Sequence, residues 1–200
     1  MKRRTTTTIS LGIAAVLGAG FASANFAQPE IDEAQMMELW MAAAAPGDAH
    51  DGLKRLVGEW TCTSRMYMAP DAPPMESTAK ASCRLVMGGR FVEQRMQGEM
   101  MGMPFEGFGL TGYNNMRKQY TGMWVDNMGT AILTMNGSAD QSGNVITMLG
   151  QMDEPTTGEI GKTVKWVTRF LDKDTYVFEA FEVQYGDPFK VFDITYTRAR

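Results

Sequence analysis

Three methionines, Met100, Met101 and Met103, lie close together in the glycine-flanked stretch GEMMGMPFEG. Thioethers bind soft ions such as Cu(I) when two to four of them converge, usually with help from His or Cys. These methionines are therefore weak candidates for a metal site. Adjacent residues of an extended strand point to opposite faces, which separates Met100 from Met101. The same stretch is also explained as a hairpin with its bend at Gly102 and Pro104.

Methionine is abundant well beyond this stretch. After position 24 the sequence contains 17 Met and only 8 Leu. Methionine is a flexible apolar side chain that fills cores in place of Leu. This distribution favours methionines as packing residues and leaves periplasmic, Met-based copper handling as an alternative function.

The chain has one histidine, His50, which is interpreted as a capping or core residue. A single His without a partner Cys cannot build a zinc site, and haem would lack a ligand from the strands, so no cofactor is expected. No G-x-S-x-G motif is present. The glycines of residues 107–112 fit G-x-G-x-x-G, but no helix follows them, which argues against a nucleotide loop. An enzyme of unknown reaction, using carboxylates such as Glu93 and Asp126, is the third alternative.

Aromatic and acidic side chains alternate along several predicted strands, which places them on shared faces. If these faces point inward, they create a lumen of the kind that binds small molecules. A filled core without a cavity explains the same pattern equally well. The candidate ligand-binding residues are Tyr113, Tyr120, Trp124, Asp126, Trp166 and Tyr176.

The elements that would position these residues are short strands. From Gly58 onward, period-two segments rich in Thr, Val, aromatic residues and Met alternate with Gly-, Asn-, Asp- and Pro-containing breaks. Strands are predicted near 58–68, 75–87, 90–97, 105–113, 118–126, 129–137, 144–151, 162–171, 175–184 and 188–198. Short connections and no intervening helices predict a mainly β, antiparallel up-and-down barrel, because closure removes exposed edges. A two-sheet sandwich is the alternative.

Helices are expected before the barrel, as a lid over the end where the chain enters it. Asp32 can cap a helix over 33–44, and Asp48 can cap a second one through Leu56. The first helix carries a broad apolar stripe of Met36, Met37, Leu39, Trp40 and Met41.

The N-terminus has the features of a signal peptide over residues 1–24. A basic start precedes an apolar run over 9–21 that is too short to span a bilayer, and Ala22-Ser23-Ala24 is an A-x-A cleavage site. Ordinary secretion is favoured over twin-arginine export, so the protein is expected to be secreted or periplasmic. The predicted organisation is a signal peptide (1–24), a helical segment (25–47) and one barrel domain (48–200).

Charge restricts the partners. Without residues 1–24 the chain has 16 basic and 23 acidic residues, a net charge of −7. An acidic surface argues against nucleic acid and anionic membranes. No later apolar run is long enough to span a membrane, so no membrane span is expected after signal removal.

Cys62 and Cys83 lie on the first two predicted strands. A turn centred near position 72.5 gives opposed residues an index sum of about 145, which pairs Cys62 with Cys83. Cross-strand neighbours can form a disulfide, and an exported protein permits oxidation. We therefore predict a Cys62–Cys83 disulfide, with two buried free thiols as the alternative.

Several segments resemble the bacterial domain-of-unknown-function family 1579 (DUF1579) over about residues 47–199. They are HDGLKRLVGEW (50–60), MGGRFVEQ (87–94), MMGMPFEGFGLTGYNN (100–115), YTGMWVDNMGT (120–130), DEPTTGE (153–159) and ITYTR (194–198). The resemblance implies a lipocalin-like antiparallel barrel in a secreted or intracellular bacterial protein. It implies no established reaction and supplies no catalytic residues.

A second similarity, to lipocalin-type barrels in general, rests on Gly58-Glu59-Trp60 at the start of the first strand and Arg198 near the end of the last. It implies that the Arg198 guanidinium stacks on the Trp60 indole and closes the base of the barrel. Together these patterns favour a non-catalytic binder of a small apolar or amphipathic ligand.

Overall fold

The structure is a computed structural model that describes residues 31–69, 72–183 and 188–200; the expected signal peptide lies outside these ranges. Two helices, α1 (Glu33–Ala44) and α2 (Asp48–Leu53), precede a 3₁₀ turn at Lys54–Leu56. The strands are β1 (Gly58–Met66), β2 (Met75–Val86), β3 (Phe91–Met100), β4 (Met103–Asn114), β5 (Gln119–Asp126), β6 (Leu133–Ala139), β7 (Val145–Glu154), β8 (Glu159–Phe170), β9 (Thr175–Glu182) and β10 (Phe189–Arg198).

The ten strands form a closed antiparallel barrel. Each strand pairs with its neighbours in sequence, and β10 returns to pair with β1. The predicted ten-stranded up-and-down barrel is confirmed, and the sandwich alternative is wrong. Closure leaves none of the described strands with an unpaired edge, which is the physical advantage that favoured a barrel.

Strand β6 begins four residues later than predicted, because side chains at the end of β5 organise the loop before it. The Met128 N–H donates to Asp126 Oδ1 over 3.0 Å. The Asn127 amide donates to the Pro104 carbonyl of β4, also over 3.0 Å. Local side-chain bonds of this kind compete with strand pairing.

The hairpin between β3 and β4 has a tighter bend than expected. Met101 and Gly102 form a two-residue turn, with φ angles of 53° and 76°. Positive φ at both central residues is the requirement of a type I′ hairpin turn. The prediction that Pro104 makes the bend is wrong, because Pro104 lies in β4 opposite Glu99.

Helix α1 has the predicted bounds, and the Asp32 carboxylate accepts the Gln35 N–H over 2.8 Å as its cap. Its apolar stripe does not pack against the barrel, since α1 has no buried residue. The helix is attached through its C-terminal carbonyls, with Arg90 donating to Ala44 and Asn115 to Ala45. No helix in the described part of the chain combines the length and apolar character needed to cross a membrane.

Helix α2 and the following turn plug the end of the barrel at which β1 begins, and Leu53 there is fully buried. Asp48 is the first helical residue and Gly47 occupies the cap position, so the predicted capping role of Asp48 is wrong. His50 provides the cap instead, because its Nδ1 accepts the Gly47 N–H over 3.1 Å. His50 is buried and meets the Tyr113 ring edge-on at 5.8 Å.

The structure brings Trp60 and Arg198 together at this closed end. The two residues are opposite each other in the β1–β10 register, and the guanidinium lies 4.3 Å from the indole centroid. Arg198 also donates to the Val57 and Lys173 carbonyls over 2.9 and 3.0 Å. The Trp60 indole N–H donates to the Leu56 carbonyl over 2.8 Å. These bonds join the first strand, the last strand and the plug.

The predicted disulfide is wrong in this structure, where both cysteines are free thiols. Cys62 pairs with Ala79 and Cys83 with Gly58, so the index sum of the hairpin is 141. The register differs because β1 leaves the hairpin early: the Tyr67 N–H bonds to the Val191 carbonyl of β10 over 2.9 Å. The four-residue offset separates the cysteines by about 13 Å along the strands, beyond the Cα distance of about 7 Å that a disulfide tolerates.

Asp193 forms the centre of a charged cluster on the outer wall. Its carboxylate is 1% exposed. It accepts hydrogen bonds from both Arg65 Nε and Nη2, from the Tyr67 hydroxyl and from Lys190 Nζ, all over 2.9–3.1 Å. Burial opposes the charge of Asp193, but these donors prevail and lower its pKa below the ordinary value. The cluster therefore stabilises β1 against β10 through a buried carboxylate.

Candidate functional site

The barrel encloses a cavity of about 330 Å³. Strand alternation supplies its lining, because every second residue of each strand points inward. The inward faces of β2 and β3 contribute small or flexible side chains such as Ala79 and Met96, whereas β8 and β9 contribute Trp166 and Phe178. The alternative of a completely filled core is therefore wrong.

Methionines form much of the cavity wall. Seven of them line it: Met66, Met96, Met100, Met123, Met135, Met148 and Met152. A thioether side chain has several accessible rotamers, so a wall built from it can adapt to ligands of different shape. Part of the excess of Met over Leu in the sequence therefore lies on this adaptable apolar surface, while other methionines are exposed outside it.

Trp124 lies flat against one wall because the neighbouring strand has glycines beneath it. A Cβ added at Gly107 would lie 2.3 Å from the indole, and one at Gly109 would lie 2.8 Å from it. Real Cβ atoms do not approach this closely, so only glycine leaves room for the ring. One indole face therefore covers β4 and the opposite face borders the cavity.

Asp126 is fixed beside this ring. Its Oδ2 accepts the Trp124 indole N–H over 2.8 Å, while Oδ1 accepts the Met128 N–H. Both donors are neutral N–H groups, so neither forms an ion pair with this carboxylate. Glu99 is the second carboxylate on the lining. Both residues lie at the end of the barrel opposite α2, which we call the far end.

Four of the six predicted ligand-binding residues line the cavity: Trp124, Asp126, Trp166 and Tyr176. Tyr113 and Tyr120 do not. Their rings contact each other at 5.0 Å under α2, where Tyr113 also meets His50. Both tyrosines point inward, as predicted. They lie at the end of the barrel that α2 plugs, and not beside the cavity. These two tyrosines therefore support α2.

The closed end of the cavity is formed by a cluster of buried thiols and phenols. Tyr176 and Tyr196 stack at 4.2 Å, and the Gln94 amide donates to the Tyr196 hydroxyl over 3.1 Å. Burial raises the pKa of Cys62 to about 12, and nearby Cys83 adds to the effect. Burial also raises the pKa of Cys83 to about 12. Both thiols are protonated at neutral pH, which makes them poor nucleophiles.

An inward-pointing ion pair lies at the far end. Lys162 is two residues before Val164 on the inward face of β8, and its ammonium lies 2.8 Å from the Glu182 carboxylate of β9. The Lys162 side chain is only 9% exposed. The hydrogen bond to Glu182 outweighs burial and raises the pKa of Lys162.

The weak metal candidates are not brought together. Met100 lines the cavity, whereas Met101 is 64% exposed in the turn and Met103 is 48% exposed at the start of β4. Within residues 31–69, 72–183 and 188–200, no three His, Cys, Asp or Glu side chains form a group that could hold a metal ion.

Glu93 and Asp126, the carboxylates considered for an enzyme of unknown reaction, are also separated. Glu93 bonds to Arg84 and Arg95, which share the outer face of the wall with it, whereas Asp126 borders the lumen. Glu93 therefore belongs to a surface ion-pair network.

Sequence reasoning missed several polar lining residues, including Gln94, Glu99 and Tyr196. Gln94 and Tyr196 occupy inward positions of their strands, so the alternation that identified Trp166 also contained a signal for them. Glu99 had no such signal, because it falls between the inward positions of β3 and is exposed at the end of the strand, next to the lining residue Met100.

The fold and the cavity define a ten-stranded β-barrel with a mostly apolar, methionine-rich lumen. The model of a family described as "Protein of unknown function (DUF1579)" matches residues 45–198, so the chain belongs to this family. This confirms the resemblance read from the sequence motifs. A search of curated proteins found no match.

A solved structure shows the same kind of fold. The chain is similar to the M. tuberculosis protein Rv2717c, with a TM-score of 0.55 and 18% identity over 78% of this chain and all of that one. A redesigned β-barrel aligns with a TM-score of 0.41 and 13% identity over 74% of this chain and 96% of that one. The likeness to Rv2717c supports the barrel architecture alone.

Proposed function

We propose that the protein binds a small apolar or amphipathic molecule in the barrel lumen and performs no chemistry on it. The observation that carries the proposal is the cavity of about 330 Å³, whose lining is mainly methionine, aromatic and aliphatic, with a few polar groups. Ligand pockets typically have this composition and a volume of about 300–1,000 Å³.

The placement of the side chains that could take part in catalysis supports binding over catalysis. The two thiols are buried with raised pKa values, and His50 is engaged in capping α2. The exposure of Met101 and Met103 gives no support to the alternative of a copper site at the β3–β4 turn.

The sequence supports an exported location for this binder, since the basic start, apolar run and A-x-A site of residues 1–24 occur in signal-peptide order. Fractionation of cells that express the full chain, with the N-terminal residue determined by mass spectrometry, tests this. A start at Asn25 in the exported fraction is expected, and an intact cytoplasmic chain would contradict export.

Titration with N-phenyl-1-naphthylamine, a neutral apolar fluorophore, tests lumen binding. We expect saturable one-to-one binding with increased emission. Ser64 lines the cavity and its neighbour Thr63 is exposed on the outer wall. Ser64→Phe should fill the lumen and weaken binding at least about tenfold, whereas Thr63→Phe should leave it unchanged.

Two outcomes would overturn the proposal: no saturable binding by the wild-type protein, or equal losses in both variants. Far-UV circular dichroism and the melting temperature check that Ser64→Phe folds, and Ser77→Phe, opposite Ser64 in the β1–β2 register, replaces it if it does not. Native mass spectrometry of protein from its own host adds a direct search for a bound mass.

A further inference from the structure

The charge of the lumen discriminates between classes of amphiphile. Glu99 and Asp126 are the charged groups on its lining, and no Lys, Arg or His of the described chain borders it. Neither carboxylate takes part in an ion pair with a described residue. Negative charge beside an apolar cavity attracts a cation and repels an anion, more strongly than it would in bulk water.

Trp124 adds an aromatic surface next to this charge. Its indole N–H is already used by Asp126 and one ring face is covered by the glycines of β4. The remaining face borders the cavity, and an indole face is the aromatic surface that attracts cations best. An aromatic face adjoining a carboxylate is suited to a substituted ammonium group, which contacts both.

The buried lysine at the far end does not reverse this preference. Lys162 is neutralised by Glu182 at 2.8 Å, and further attraction comes from Glu154 and Glu159. An anionic head group would have to displace Glu182 from a largely buried ammonium to gain the same contact. A cationic head group leaves this ion pair intact.

We infer that the lumen selects a cationic amphiphile: its apolar chain lies among the cavity methionines, and its ammonium group lies between the Trp124 ring face and the Asp126 carboxylate. This inference rests on the proposed function, because it needs a ligand in the lumen. It goes further by naming the head-group chemistry and the two residues that recognise it.

Three probes with the same apolar chain test it. Decylammonium, decanol and decanoate are titrated in competition against N-phenyl-1-naphthylamine at pH 7, below their micelle concentrations. Decylammonium is expected to bind tightest and decanoate weakest, with a difference of at least about tenfold between the two charged probes. Salt should narrow that difference, since it screens the charge.

Asp126→Asn removes the negative charge of this side chain and keeps its shape. It should weaken the binding of decylammonium about tenfold or more while leaving the affinity for decanol unchanged. Glu106→Gln is the matched control, because Glu106 is exposed on the outer face of β4 and its loss changes the net charge equally. Glu106→Gln should leave the order of the three affinities, and the ratios between them, unchanged.

The outcomes separate this inference from the proposed function. If neither the fluorophore nor any probe binds, both fail. If the three probes bind equally, or decanoate binds tightest, the lumen is a binding site but its selection of cations is refuted. If Asp126→Asn and Glu106→Gln weaken decylammonium equally, the effect is one of net charge and the assigned site is wrong.

Discussion

Replacing Asp193 with Asn is expected to lower the free energy of unfolding by about 3 kcal/mol at pH 7. The carboxylate is 1% exposed and accepts hydrogen bonds from Arg65, Tyr67 and Lys190. Breaking a buried pair from one side costs about 3–5 kcal/mol. The side chains of Arg65 and Lys190 are 43% and 31% exposed, so water can rehydrate them, which places the expected loss at the low end of this range.

The pH dependence of this loss has a definite sign. The donors lower the folded-state pKa of Asp193 below its ordinary value, despite the opposing effect of burial. The carboxylate therefore contributes its full stabilisation above the unfolded pKa of about 3.9 and loses it as pH falls through the folded value. The stability gap between wild type and Asp193→Asn should be constant from pH 7 to 5 and narrow only below about pH 4.

Guanidinium unfolding followed by tryptophan fluorescence, and thermal melts between pH 3 and 8, measure both quantities. For a domain of this size, about 3 kcal/mol corresponds to a fall in melting temperature of about 6–12 °C. Asp51→Asn is the control, since Asp51 and its partner Lys54 have side chains 65% and 59% exposed and their pair should contribute less than about 1 kcal/mol. A loss below about 1 kcal/mol for Asp193→Asn, or a gap that already narrows between pH 7 and 5, would refute the reasoning.

Two further predictions concern the closed end. In native protein at neutral pH, Cys62 and Cys83 should resist alkylation, because both thiols are buried with pKa values of about 12. Alkylation of the denatured, unreduced protein should add one alkyl group to each cysteine. An unmodified mass would instead show a disulfide. Arg198→Lys should lower the free energy of unfolding by about 2 kcal/mol, because an ammonium cannot both cover the Trp60 ring and replace the guanidinium donors to the Val57 and Lys173 carbonyls. An unchanged melting temperature would contradict that account.

The class of fold was predictable because its signals are local. Period-two alternation and short turn-forming breaks recur along the chain after Gly58, and together they permit few arrangements other than an antiparallel closed sheet. The same holds for α1, whose first residue follows from Asp32 as a capping residue. Trp166 and Tyr176 were placed on the lumen by alternation alone.

The register of the first hairpin could not be predicted from local signals. A shift of four residues leaves every side chain on the same face, so the pairing of Cys62 with Cys83 and the observed pairing of Cys62 with Ala79 satisfy the alternation equally well. In the structure the pairing of β1 with β2 stops at Met66, and Tyr67 contacts β10, more than 120 positions away in sequence, a contact that no local signal predicts.

The sequence by itself determined an antiparallel barrel of about ten strands, the helix over 33–44 and the residues that can point inward, since each depends on periodicity within a few positions. Only the tertiary structure decided the depth at which inward residues lie, which places Trp124 at the lumen and Tyr120 beneath α2. It also decided that Trp124 rests on Gly107 and Gly109. Depth and cross-strand contact depend on how the sheet closes, and closure is a property of all ten strands together.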